Sequence, residues 1–504
     1  MVRAGAGALG STLLVPAPRQ SAFGKEKAIK VGGIQPLTGP DTGGGLGDKF
    51  SQQLSRGKSK SSLGARRSDM FRLHHPRTMK WLSLVVIGGM FLLALASTKV
   101  DAQGRPKGAP SALKVGFVDF FSGAAATFGG PGKATTEWLV AKWNKEGGIR
   151  GVPIKLVIVD EGGGPKKQVT ELRRLVLDEK VDAVVGYTSS GNCLAISPVA
   201  EELKILTIVH ICGTHRLTED RKLKYVFRTS NNQAADSVTL ARYVLALKPN
   251  LKTIAGANED YAWGRDSWEA FKIAMKKLKP DVKVVAELWT RFQAGEYSAE
   301  ISRLLAEKPD VIHSSFWGGG LISFVKQASP RGLFKQSLVV LSTGEQVLQN
   351  VGKSMPDGVV AAPRATPGYF LDPDPATDAM QKEFVEGLYK QNKRYPDYPA
   401  YRTYQAWGGL KAAYEKAIDK HGRWPTTDEV IKVFETLSWK VPGGTITMRP
   451  DHQAVHGGMV GLTKMSKKYG FAILEKRVRH NAKDITPPLG MKTLDWVRGI
   501  QLKN

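Results

Sequence analysis

Leu113-Lys114-Val115-Gly116-Phe117-Val118 is apolar at every position but Lys114 and runs into Asp119 and a loop rich in Gly and Ser. A short apolar run bounded by turn residues reads as a strand buried on both faces, the kind found in parallel sheets. Working outward, helical periodicity over 136–145 ends at Gly147-Gly148, and strand 154–159, helix 166–179, strand 183–186, helix 194–203 and strand 205–210 follow in turn. Strands alternating with amphipathic helices predict βαβ units and a parallel sheet.

The pattern restarts after Phe227-Arg228-Thr229, with helices over 234–246, 264–278, 298–307 and 321–328 and strands over 253–257, 283–288, 311–314 and 337–341. The fold class is therefore α/β, with two doubly wound parallel-sheet lobes. Beyond Pro363 the spacing predicts helices over 377–392, 401–420 and 427–437, a β-rich stretch over 445–474, and a basic, proline-containing tail.

Upstream of the first strand the character differs. Residues 1–78 are rich in Gly, Ser, Arg and Lys without sustained periodicity, which predicts a disordered or mis-called extension. From Met79 the chain shows Lys80, a 15-residue apolar run from Leu82 to Ala96, and Val100-Asp101-Ala102 before Gln103, the plan of a secretory signal peptide over 79–102. The run is too short for a comfortable transmembrane span, and no Cys follows it to carry a lipid anchor.

The whole chain of 504 residues carries a formal charge of +27, of which residues 1–102 hold +10 and residues 103–504 hold +17. Basic and aromatic residues do not interleave in one patch, so no nucleic-acid partner is expected. Two cysteines exclude a disulfide scaffold or a four-cysteine zinc site. Gly129-Gly130-Pro131-Gly132-Lys133-Ala134-Thr135 lacks the Gly and Ser/Thr positions of a phosphate loop. His210-Ile211-Cys212-Gly213-Thr214-His215 gathers soft ligands without a second cluster. No Gly-x-Ser-x-Gly elbow or His-Glu-x-x-His occurs, and Ser189 and Ser190 have no identifiable base, so no enzyme, cofactor or metal is expected.

Ligands of open α/β sheets bind beyond the carboxyl ends of the strands, so the loops after strands are where a site is expected. There the sequence offers hydroxyls and small residues, Ser122, Thr188, Ser189, Ser190 and Thr214, suited with backbone N–H groups to a carboxylate. Glu345 would balance an ammonium, and Phe128, Tyr187, Trp263, Trp317 and Tyr401 would wall an apolar group.

These residues lie within an ordered set of motifs: Lys114-Val-Gly-Phe, Phe121-Ser-Gly123, Asn144-Lys-Glu-Gly-Gly-Ile-Arg-Gly151, Val159-Asp-Glu161, Asp260-Tyr-Ala-Trp-Gly264, Asp310-Val-Ile-His-Ser-Ser and Tyr401-Arg-Thr-Tyr-Gln-Ala. From Leu113 to Gly470 the set resembles the branched-chain amino-acid (leucine/isoleucine/valine) substrate-binding proteins of ABC transporters, of the type I periplasmic binding fold. The resemblance implies two lobes crossed three times by the chain, near Thr229, Ala362 and Gly443. Lobe 1 would comprise 112–229 and 364–442, lobe 2 would comprise 230–362 and 443–476, and 477–504 would be a tail.

It further implies a monomer that captures a solute and presents it to a membrane permease. The ligand carboxylate would fall on Ser189-Ser190 and Cys212-Gly213-Thr214, the aromatic walls on Phe128, Trp263 and Trp317, and the amine receptor near Glu345. Cys212-Gly213 and the tryptophans depart from the family's usual residues, which leaves an aromatic carboxylate as compatible as an aliphatic amino acid. Cys193 and Cys212 follow adjacent expected strands, so a bridge between them is open. Ile29 to Pro40 repeats the opening strand and loop without a following βαβ unit. The alternatives are a ligand sensor of the same fold and a secreted serine hydrolase.

Overall fold

A computed structural model describes residues 104–362, 364, 368 and 378–502. The expected extension, signal peptide and Ile29–Pro40 repeat lie outside them. Lobe 1 is built on β1 (Leu113–Asp119), β2 (Ile154–Asp160), β3 (Ala183–Gly186), β4 (Leu206–Val209) and β5 (Val226–Arg228), all parallel in the order β2-β1-β3-β4-β5.

Lobe 2 holds β6 (Thr253–Glu259), β7 (Lys283–Thr290), β8 (Val311–Ser314), β9 (Leu338–Leu341) and β10 (Val360–Ala361). These are parallel in the order β10-β9-β8-β6-β7, and two antiparallel strands described below extend the sheet beyond β10. Each sheet is buried under helices on both faces, as four hydrophobic clusters show, two per lobe. That burial explains why the strands read as continuous apolar runs.

Three differences from the sequence reading have local causes. The first helix runs Ala126–Lys145 and so starts ten residues before the expected 136, taking in the glycine-rich stretch. Pro131 lies inside it. Second, β11 (Ser438–Val441), β12 (Gly444–Met448) and β13 (Ala454–Val455) form a small antiparallel sheet. Trp439, Val441, Ile446 and Met448 bury into the core of lobe 1, so the chain returns to lobe 2 at Gly457-Gly458 and not near Gly443.

Third, β14 (Gly458–Met465) pairs antiparallel with β10 and with β15 (Ala472–His480). The expected tail therefore starts inside a strand of lobe 2, and its helix Thr493–Gly499 buries Val497 in the same core.

Candidate functional site

In both sheets the strand order reverses beside the first strand, between β1 and β3 in lobe 1 and between β6 and β8 in lobe 2. The loops leaving these four strands open a crevice at each switch point, and the two crevices face each other. Between them lies a cleft of about 230 Å³. Lobe 1 contributes Phe128, Thr188, Ile211 and Gly213, and lobe 2 contributes Tyr261, Trp263, Trp317 and Thr343. Arg364, just past the second crossing, and Tyr398, at the start of the helix Tyr398–His421, complete the lining.

The walls are aromatic and rigidly held. The Phe128 ring meets Trp317 edge-on at 4.9 Å and Tyr398 at 5.3 Å. Trp317 Nε1 donates to the Tyr261 hydroxyl (2.8 Å), and Trp263 Nε1 donates to the Ser315 carbonyl (2.8 Å). Such pairing satisfies both indole N–H groups and fixes the rings in place. Gly213 lets the Trp263 ring lie on the backbone, since a Cβ there would stand 2.4 Å from Cζ3.

Of the residues singled out in the sequence, the cleft thus brings together Phe128, Thr188, Gly213, Trp263 and Trp317. The others lie elsewhere for identifiable reasons. Tyr187 takes a left-handed backbone (φ 67°), and its ring turns into the core of lobe 1. The backbone N–H groups of Thr188 and Ser189, expected to face a ligand carboxylate, instead donate to the buried carboxylate of Glu161 at 2.7 and 2.8 Å.

The Ser189 hydroxyl caps the helix Ser190–Leu203, and the Ser190 hydroxyl accepts the Thr214 N–H (3.3 Å). Neither hydroxyl pairs with an imidazole among the described residues. The Thr214 hydroxyl donates to Asp266, and exposed Ser122 donates to Asp160. Tyr401 belongs to the core of lobe 1, its hydroxyl accepting from Gln381. Glu345 accepts the Tyr398 N–H (2.9 Å) and does not line the cleft.

Cys212 forms a disulfide with Cys193, their Cα atoms 6.6 Å apart, which anchors the loop carrying Ile211 and Gly213 to a helix of lobe 1. The other members of the expected soft-ligand cluster are engaged separately, His210 with Asp119 and His215 with Gln233. Among the described residues no three His, Cys, Asp or Glu side chains converge on a metal position.

Sequence reasoning missed Arg364. It is buried, and its guanidinium lies 4.7 Å over the Trp263 ring and 5.7 Å from that of Tyr398. An arginine one residue beyond the apolar run Val359–Ala362, after Pro363 at the crossing between lobes, was the available signal. A second cavity, of about 760 Å³, opens at the third crossing, but glycines 443–444 and 457–458 form much of its wall and no aromatic side chain lines it.

The lobes touch directly beside the cleft. Gly319 N–H donates to the Ala124 carbonyl (3.0 Å), and Gln346 Nε2 donates to the Thr127 carbonyl (3.0 Å). Thr127 stands four residues before Pro131, which has no N–H to offer it, so the helix leaves this carbonyl available to the opposite lobe.

Buried carboxyls surround the cleft. Glu259 Oε1 accepts the Gln293 N–H (2.9 Å) while Oε2 has no partner, and burial pushes its pKa up to about 8. Burial likewise raises Glu161, with help from Asp119, and Glu345, with help from Asp397.

A carboxyl that keeps its proton in the fold to about pH 8, against 4.5 ordinarily, stabilises the fold fully below 4.5 and progressively less as pH rises to 8. Buried His313, pushed down to about 3, opposes this trend only below its ordinary 6.5. Denaturant midpoints should therefore fall from pH 6.5 to pH 8, each such carboxyl contributing up to about 1.4 kcal/mol per pH unit. A midpoint that stays level or rises across that interval contradicts the assignment.

A family model described as periplasmic binding protein matches residues 112–476. Among curated relatives, a Leu/Ile/Val-binding protein of Rhizobium johnstonii is 28% identical over 236 residues, 46% of this chain and 63% of its own length. One of Citrobacter freundii is 25% identical over 338 residues, 66% of this chain and 87% of its own. Among solved structures, an ABC transporter solute-binding protein of R. palustris in complex with benzoate superposes with TM-score 0.64 at 23% identity, covering 73% of this chain and 98% of its own. Another from R. palustris, in complex with 4-hydroxybenzoate, gives 0.65 at 22%, covering 75% and 99%.

Proposed function

We propose that this chain, which belongs to the periplasmic binding protein family, captures a small carboxylate-bearing solute between its two lobes and presents it to the membrane permease of an ABC transporter. The observation that carries this reading is the cleft walled by both lobes at their switch points. A solute seated there gains contacts in the closed form that the open form cannot offer, and that difference alone shifts the population toward closure. Nothing in the cycle requires a covalent step.

The relatives support the carboxylate, since both the amino acids and the benzoates in their names carry one. The signal segment over 79–102 would deliver the chain to the periplasm as a monomer of charge +17, without a lipid anchor. That positive excess would help draw anionic solutes toward it.

Because Trp263 and Trp317 line the cleft, titration with the right solute should change intrinsic fluorescence saturably and raise the melting temperature. A broad carboxylate panel that moves neither would overturn the reading.

The seam supplies a second check. Gln346→Leu removes the hydrogen bond to Thr127 and leaves that carbonyl unpaired in the closed form only. The same change removes the acceptor of the Gly318 N–H within lobe 2 (3.3 Å), so the unliganded protein should melt somewhat lower, while solute affinity measured on the folded variant drops roughly 5–10-fold. Unchanged affinity would mean that the seam takes no part in closure.

A further inference from the structure

Arg364 is 2% exposed and its hydrogen bonds are incomplete. Nε donates to Asp236 (2.8 Å) and Nη1 to the Ile211 carbonyl (3.5 Å), but among the described residues Nη2 has no partner of hydrogen-bonding geometry, the Tyr398 hydroxyl standing nearby. Nη2 lies 3.1 Å from where a Cβ on Gly213 would project, so the unpaired N–H group is on the cleft wall. A buried guanidinium donor without an acceptor is costly, and an anion that reaches it removes that cost.

Two more buried arginines strengthen the demand for an anion. Arg228 donates to Gln453 and to the carbonyls of Cys212 and Thr214. Arg402 meets Gln405, His456 and the carbonyl of Arg364 itself. Of the three, only Arg364 forms an ion pair among the described residues, with Asp236. The hinge interior is thus short of negative charge.

An ammonium group has no matching receptor. None of the described residues lining the cleft is acidic. Of the nearest carboxyls, Glu259 and Glu345 each keep one oxygen unpaired, but neither lines the cleft and burial favours the neutral acid in both. Asp119 accepts from Phe120 N–H and the Thr188 hydroxyl and faces His210. Glu161 accepts from Thr188, Ser189 and Asn192. Burying an ammonium unpaired beside three guanidiniums costs several kcal/mol. The remaining wall is aromatic, and the space it bounds is small, at most about 230 Å³.

Resting on the solute-binding reading above, we infer that the cleft selects a compact aromatic monocarboxylate without an ammonium group, with Arg364 Nη2 as its carboxylate receptor and Trp263 and Trp317 as its walls. An α-amino acid is rejected at the amine, and a neutral aromatic at the arginine.

Calorimetry of the whole chain with benzoate, benzamide, phenylalanine and leucine tests this. Benzoate should bind, benzamide should bind at least about 100-fold more weakly because it lacks the charge-assisted contact, and the two amino acids should not saturate at millimolar concentration. Arg364→Lys, which keeps the charge but loses the planar fork, should weaken benzoate by about tenfold or more. The wild-type comparison of benzoate with benzamide stands if that variant does not fold. Leucine or phenylalanine binding as tightly as benzoate, or benzamide matching benzoate, would overturn the inference and leave solute binding intact. Failure of all four and of a broader carboxylate panel would overturn both.

Discussion

Replacing Gly264 with alanine is expected to prevent accumulation of folded protein, or to lower its stability by about 3 kcal/mol or more. The alanine Cβ would stand 1.9 Å from the Glu259 carbonyl oxygen and 2.9 Å from its carbon. Both are backbone atoms at the end of β6, so no rotamer change relieves the overlap. Gly129 makes the same approach in lobe 1, where a Cβ would stand 2.0 Å from the Phe120 carbonyl oxygen just past β1. Gly129→Ala should be equally damaging. Gly130, the next residue, has nothing within 4 Å of an added Cβ, and Gly130→Ala should be neutral or slightly stabilising by helix propensity. Thermal melts and soluble yield of the three variants decide the matter, and comparable stability for all three would refute the close-approach account.

Gly213→Ala is expected to spare the fold and remove solute binding. Its Cβ would stand 2.4 and 2.6 Å from two carbons of the Trp263 ring and 3.1 Å from Arg364 Nη2. The ring is tied to the Ser315 carbonyl through Nε1, so it must break that bond or move into the cleft. Either movement destroys the wall and crowds the anion receptor, and affinity should fall on the order of 100-fold, while repacking costs about 1–3 kcal/mol of stability. Affinity within threefold of wild type, measured by calorimetry on a variant with a cooperative melt, would show that the cleft is not where the solute sits.

The layered architecture was legible because the strands are short apolar runs and the helices periodic. The helix Ser298–Glu307 and the strand Val311–Ser314 fall where periodicity places them. Phe128, Gly213, Trp263 and Trp317 were legible as cleft-lining residues because each stands in the loop, or the first turn of the helix, that follows a strand's carboxyl end, a position that topology alone defines.

What was hidden depended on who bonds to whom. Ser189 and Glu345 have the right chemistry for a carboxylate and an amine, but Ser189's hydroxyl caps a helix and its amide serves Glu161, while Glu345 serves Tyr398. No pattern along the chain announces such pairings. Arg364 follows a strand of only two residues and has no periodic context, so its role appeared only when Trp263 and Gly213 were found against it. The third crossing was placed too early because β11 and β12 alternate like strands of either lobe, and only the burial of Trp439 and Ile446 assigns them.

The carbonyl of Thr127, left over where Pro131 interrupts its helix, bears on how a captured molecule is let go. In the parted state water solvates that oxygen, and in the joined state a glutamine amide replaces the water, an exchange of nearly equal bonds. A seam made this way adds direction and registry without much net adhesion. The joined state then lasts about as long as its cargo holds it, so a modest competing pull on the two halves is enough to discharge the carrier.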